Sequence, residues 1–198
     1  MTKKILILLF ILIPIKANAL IEVDITRGNL NPLPLAVSPL SIDEESRKGF
    51  EKILKKENIG SEISNIVENN LRTSGLFNPL DKKAFLQAPD IANLKPRFED
   101  WNLIKAQALI TGKVNYVDDK LRVEFRLWDV LAAKEMMALA FTTVPNNWRR
   151  VGHIISDKVY ERLTGEKGYF DTRIIYVSEE GPKTQRIKKL AIMDQDGA

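Results

Sequence analysis

Leu121–Leu127 alternates without a fault, with Leu121, Val123, Phe125 and Leu127 on one side and Arg122, Glu124 and Arg126 on the other. Successive side chains of a strand face opposite ways, so such a segment buries one face and wets the other. Two similar segments lie beside it. Ala106–Val117 carries Ile110, Val114 and Tyr116 on one face, and Glu135–Val144 follows a turn at Asp129–Lys134. Asp118-Asp119-Lys120 makes the first connection a tight turn. The three segments predict an antiparallel meander with one wet face.

Helices are expected on the other face. In Trp148–Leu163, the residues Trp148, Val151, Ile155, Val159 and Leu163 form one stripe, with Gly165 past the end. From about Gly60 to Ser74, Ile59, Ile63, Ile66, Val67 and Leu71 do the same, and Gly75 stands where a left-handed cap belongs. Ser41–Glu57 predicts a wetter helix capped by Ser41 or Asp43, with Phe50, Ile53 and Leu54 facing inward. Leu35–Val37 reads as a brief buried strand after a turn-rich Arg27–Pro34. Asp81–Arg97, broken by Pro89 and Pro96, reads as irregular, and Phe98–Lys105 as one or two helical turns around Trp101. The order β-α-α-β-β-β-α makes the fold class α/β, one sheet with helices on a face.

A second unit is expected from Tyr169. Thr172–Val177 and Gln185–Met193 read as two strands joined by a polar turn, Ser178–Lys183, and Asp194–Gly197 as another turn. A lone two-stranded hairpin is marginal in water, so this one reads as the opening of something larger.

The chain begins as exported chains do. Lys3 and Lys4 precede an apolar run, Ile5–Ile15, and Ala17-Asn18-Ala19 is a small-x-small site that places cleavage between Ala19 and Leu20. The run is shorter than the ~20 residues a bilayer span needs, so no direct membrane insertion is expected after cleavage. Removing Met1–Ala19 takes three lysines and no acid, and the formal charge falls from +4 to +1. That balance gives no push towards nucleic acid. With no cysteine, thiol catalysis, disulfides and thiolate metal sites are all excluded.

The remaining candidates for chemistry are sparse. His153 is the only histidine, with Ser156 and Asp157 near it in sequence. Residues three and four apart on a helix lie along one surface and do not enclose a cleft, so a structural role is expected and no catalytic residue. Asp194-x-Asp196-Gly197 resembles the start of a calcium loop, but that loop runs about a dozen residues to a glutamate; a tight turn is the expectation. No phosphate loop or cofactor motif is present, and the spacing offers no metal-ligand cluster. The wet face Arg122, Glu124 and Arg126 is open to an acidic ligand or to pairing with neighbouring strands. Trp101, Trp128 and Trp148 are expected in packing. Leu20, Ile21, Glu22, Val23, Asp24 and Ile25 form an extended arm at the expected mature terminus. Such an arm adds as a strand to a partner's sheet or serves as a strand of its own domain.

Two blocks, Asn70–Asp81 and Trp148–Val177, resemble the TolB family, the periplasmic component of the Tol-Pal envelope system of Gram-negative bacteria. The strings Gly152-His153, Ser156-Asp157, Leu163-Thr164-Gly165, Lys167-Gly168 and Thr172-Arg173-Ile174 carry the second, and Met193–Gly197 is similar to the end of the family's first propeller hairpin. The resemblance implies a signal peptide over 1–19, a mixed-sheet α/β domain over 20–168, and the first strands of a truncated β-propeller over 169–198. It also implies a non-enzymatic periplasmic adaptor that binds TolA and other Tol proteins through the arm Leu20–Ile25. Pal, the peptidoglycan-associated lipoprotein, would bind the propeller. The competing class is a periplasmic hydrolase with a propeller whose catalytic domain is missing here. The charged stretch Ser41–Asn58 departs from the family pattern and is given no role.

Overall fold

The computed structural model describes residues 31–198. The expected signal segment Met1–Ala19, its cleavage site, the arm Leu20–Ile25 and the turn residues before Asn31 lie outside the described residues.

A mixed sheet organises the fold, with strand order β3-β1-β4-β5-β6 and β2 paired separately with β4. The strands are β1 (Leu33–Val37), β2 (Ser41–Ile42), β3 (Phe77–Pro79), β4 (Ala108–Val117), β5 (Lys120–Asp129) and β6 (Lys134–Thr143). β1 runs parallel to both β3 and β4, while β4, β5 and β6 form the predicted meander. The two-residue turn between β4 and β5 places Asp118 and Asp119 at positive φ, 50° and 58°. That twist suits a tight hairpin, and aspartate tolerates it well.

The alternation in β5 fixes the register. Leu121, Val123, Phe125 and Leu127 are all buried, and they share a core with Leu35, Val37, Ile110 and Val114. Three helices cover this inner face: α1 (Glu44–Leu54), α2 (Ile59–Thr73) and, after the short turn Pro145–Asn147, α5 (Trp148–Thr164). The predicted stripes of α2 and α5 are buried residue for residue. Gly75 and Gly165 take the left-handed conformation past the ends of these two helices.

Part of the outer face is covered too. Ala36 and Leu109 pack against Trp101, Ala92 and Val130, with Trp128 alongside. The covering pieces are α3 (Pro89–Leu94) and α4 (Phe98–Leu103). Pro89 therefore starts a helix instead of breaking one, since its missing N–H is an orphan at a first turn. The expectation of an irregular 81–97 is corrected accordingly.

Ser41 is likewise not a helix cap. With Ile42 it forms β2, pairing Ser41 with Lys113 and Ile42 with Val114. β1 pairs Val37 with Ile110, so Ser38–Leu40 stand against only Thr111 and Gly112, a one-residue bulge around Pro39. The buried hydroxyl of Ser64 on α2 serves this break. It accepts from the Leu40 N–H at 2.9 Å and reaches the Ser38 and Gly60 carbonyls at 3.2 and 2.9 Å.

Asp43 caps α1, accepting from the Ser46 N–H at 2.7 Å. The helix docks on β4 through Phe50, edge-on to Tyr116 at 5.3 Å, and through the Ser46 hydroxyl, which accepts from the Tyr116 N–H. Ile53, expected inside, is exposed, because the face that meets β4 is the one holding Ser46 and Phe50.

Replacing Ser64 with alanine strands the Leu40 N–H in the core. The expected loss is about 1–3 kcal/mol of unfolding free energy in urea titration. Asp43→Ala is expected to cost about 1 kcal/mol at neutral pH. The Ser46 N–H, with help from the Asn115 amide, outweighs desolvation and holds the Asp43 carboxyl below its ordinary value of 3.8. Its share of stability is therefore present above that value and lost as pH falls through the lower folded one. Unfolding curves of parent and variant should converge in that acid range.

Candidate functional site

The described residues bring most of their unusual polar chemistry to one place, where α5 meets the base of the C-terminal hairpin. That hairpin is β7 (Arg173–Glu180) paired antiparallel with β8 (Ile187–Asp194). Its strands carry Ile175, Val177, Leu190 and Ile192 largely exposed.

The connection from α5 is held tightly. The Asp157 carboxylate accepts from the backbone N–H groups of Phe170 and Asp171, at 2.6 and 3.1 Å. Gly168 passes so close to Asp157 that a Cβ there would lie 2.4 Å from its Cα. Phe170 is fully buried beside Tyr160 in the main core. Arg150 donates from Nε and Nη2 to the Asp171 carboxylate. The aromatic pair anchors this linker, and the carboxylates fix its direction.

Above the linker, polar side chains from three elements meet. Asn70 is buried on α2. Its amide donates to His153 Nδ1 and to the Ser156 hydroxyl, both at 2.9 Å, and its carbonyl accepts from Gln195 at 2.9 Å. Arg149 donates to Asp196 at 2.6 Å and lies 3.6 Å from Asp194, its guanidinium over the ring of Trp148. Arg173 approaches the other oxygen of Asp194 at 3.8 Å. His153 Nε2 faces Asp194 and Asp196 at 3.9 and 3.8 Å. Asn70 thus links three segments that are far apart in sequence.

This arrangement does not form a hydrolytic triad. Ser156 donates to the Gly152 carbonyl, and Asp157 is committed to the linker, so neither is poised against His153 as nucleophile or orienting acid. His153 is buried as expected of a structural residue, but only one of its nitrogens is satisfied. The turn Asp194–Gly197 forms as predicted, closed by the Gly197 N–H on the Asp194 carbonyl. Its two carboxylates point at α5, which the sequence did not reveal. Asn70 and Arg149 fall inside the family-like blocks, but nothing in the sequence marks them, or Gln195, as members of one site. Their residue types suit a surface, and only the tertiary fold gathers them.

On the outer sheet face, Glu124 meets Arg122 at 3.0 Å and Lys113 at 3.6 Å, while Arg126 meets Glu135 at 3.3 Å. The wet face is paired within the sheet. Trp101 is buried with its indole N–H on Gln87, Trp128 donates to Thr111, and Trp148 is buried, so all three act in packing.

A family model described as the TolB amino-terminal domain matches residues 21–136, more than half of the chain. The chain belongs to the TolB family. A curated relative, the Tol-Pal system protein TolB of Pelagibacter ubique (strain HTCC1062), is 85% identical over 192 residues, 97% of this chain and 43% of that protein. The chain thus spans less than half the length of that relative. The crystal structure of TolB from Acinetobacter baumannii matches with a TM-score of 0.67 at 24% identity, over 90% of this chain and 40% of that one. The shared fold is the mixed-sheet α/β architecture expected from the resemblance. The TolB domain model ends within β6, so α5 and the hairpin lie beyond it.

Truncating Asn70 to alanine leaves His153 Nδ1 and the Ser156 hydroxyl short of a buried partner and frees Gln195. The expected outcome is about 1–3 kcal/mol of lost stability, with faster amide exchange in 194–197 than in β4 and β5.

Proposed function

We propose that this chain is the amino-terminal part of a non-enzymatic, periplasmic adaptor of the Tol-Pal system. The observation that carries the reading is its 85% identity to a curated Tol-Pal system protein TolB. Exported periplasmic placement is supported by the signal-type start Met1–Ala19 with cleavage between Ala19 and Leu20. Among the described residues, no helix is long and apolar enough to cross a membrane.

On this reading, 20–168 is the adaptor's α/β domain and 169–198 opens a β-propeller. The adaptor links inner-membrane Tol proteins to the peptidoglycan-associated lipoprotein Pal, sustaining outer-membrane integrity and invagination during cell division. Leu20–Ile25 contacts TolA, and the propeller contacts Pal. The arm's branched residues Ile21, Val23 and Ile25 alternate in the sequence, a spacing that would share one edge in an extended segment. That pattern suits strand addition, in which main-chain hydrogen bonds supply affinity and alternate side chains supply specificity. Binding and relay need no reacting group, which agrees with a His153 not poised against Ser156 or Asp157.

Deleting Leu20–Ile25 from the full-length protein tests the arm. TolA binding, followed by calorimetry, is expected to fall below detection, with Pal binding retained. Unchanged TolA binding removes the arm from the reading. Retained envelope integrity after loss of the whole protein would remove the adaptor role itself.

A further inference from the structure

His153 is 2% exposed, and its Nε2 makes no hydrogen bond among the described residues. The atoms nearest to it of opposite charge preference are Asp194 Oδ2 and Asp196 Oδ2, at 3.9 and 3.8 Å. One nitrogen and two carboxylate oxygens thus converge, all within 4.8 Å of one another. The carboxylates are already held by a cation, because Arg149 Nη2 lies 2.6 Å from Asp196 and Nε 3.6 Å from Asp194. A guanidinium has only donors to offer. It neutralises the acids, but it gives nothing to the imidazole nitrogen, and its own Nε is also left without a hydrogen bond. A metal ion in the same place accepts electron pairs from all three groups.

We propose that His153, Asp194 and Asp196 form a Zn2+ site that staples the base of the hairpin to α5, with Arg149 as the competing internal cation. The donor set selects the metal. Calcium and magnesium favour all-oxygen shells, whereas imidazole with carboxylate suits zinc and its first-row neighbours. Tetrahedral bonds of ~2.0–2.2 Å put neighbouring ligand atoms roughly 3.3 Å apart. The His–Asp separations therefore need to close by only about half an ångström, and the two carboxylate oxygens, within 4.8 Å of one another, by up to roughly 1.5 Å through side-chain rotation, with a fourth position left for water. Asn70 supplies the support behind the ligand. With its amide and that of Gln195 turned over, and the Ser156 hydroxyl proton turned from the Gly152 carbonyl to Asn70, the Asn70 carbonyl accepts from Nδ1–H and from Ser156, leaving the Nε2 lone pair for the metal. Arg149 swings towards solvent along Trp148 as the ion enters.

Titrating a tag-free chain with ZnCl2 tests the site. His153 is the only histidine, so a single imidazole NMR signal reports on it directly. One-to-one binding is expected, with that signal shifted and the melting temperature raised, and with neither Ca2+ nor Mg2+ substituting. Asp196→Asn, in the exposed turn, should weaken Zn2+ at least about ten-fold, and Arg149→Met, which removes the competitor, should tighten it by about the same factor. The proposal is overturned if the unsubstituted chain binds no Zn2+ one-to-one, if the imidazole signal stays put on binding, if Ca2+ binds equally well, or if both substitutions leave affinity unchanged.

Discussion

Burial of the alternate side chains of β5 beneath α2 and α5 is the contact on which the rest of the molecule depends. Each of Leu121, Val123, Phe125 and Leu127 is worth about 1.5–3 kcal/mol when fully buried. A slip of one residue would exchange them for Arg122, Glu124 and Arg126, and burying such charges without partners costs several kcal/mol apiece. The register of β5 is thereby locked from both faces. β4 and β6 follow by pairing, and the helices settle where the apolar face lies. The position of α5, and with it the direction in which His153 and Arg149 project, is a consequence of this one strand.

The long elements were legible because burial acts on them over many residues. α2, α5 and the meander each repeat their apolar pattern often enough to expose a period. β2 and β3 have two and three residues, and no period fits in so short a span. The bulge around Pro39 was hidden for another reason: it is a mismatch between two strands, and neither strand records it alone. Pro89 carried an ambiguous signal, since proline both ends a helix and begins one. Ile53 failed because α1 meets β4 through Ser46 and Phe50, so the apolar residue on the neighbouring face stays wet.

The polar junction was illegible in a stricter sense. Asn70 and Gln195 are 125 residues apart, and neither has a local pattern that announces the other. His153 sits among the apolar stripe of α5, where a single polar residue reads as a structural oddity. The Asp194–Gly197 turn was expected from its own chemistry. What its carboxylates face depends on how the linker Gly165–Thr172 turns the chain back, and that turn hangs on Asp157 and the burial of Phe170.

The hairpin is therefore held by two kinds of force with different consequences. At its root, Tyr160, Tyr169 and Phe170 pack ring against ring, and apolar packing of this kind has no alternative partner to exchange with. At its base, the ties are the Gln195–Asn70 hydrogen bond and charge pairs whose side chains remain between a quarter and a third exposed. Pairs in that setting are screened and worth about 0–1 kcal/mol each. A root fixed by buried rings with screened ties at the base makes the base the part of the hairpin that is released at least cost. Two acids against Arg149 and Arg173 leave the junction near neutral. The apolar core sets where the hairpin starts, and the junction sets how firmly it lies against the domain.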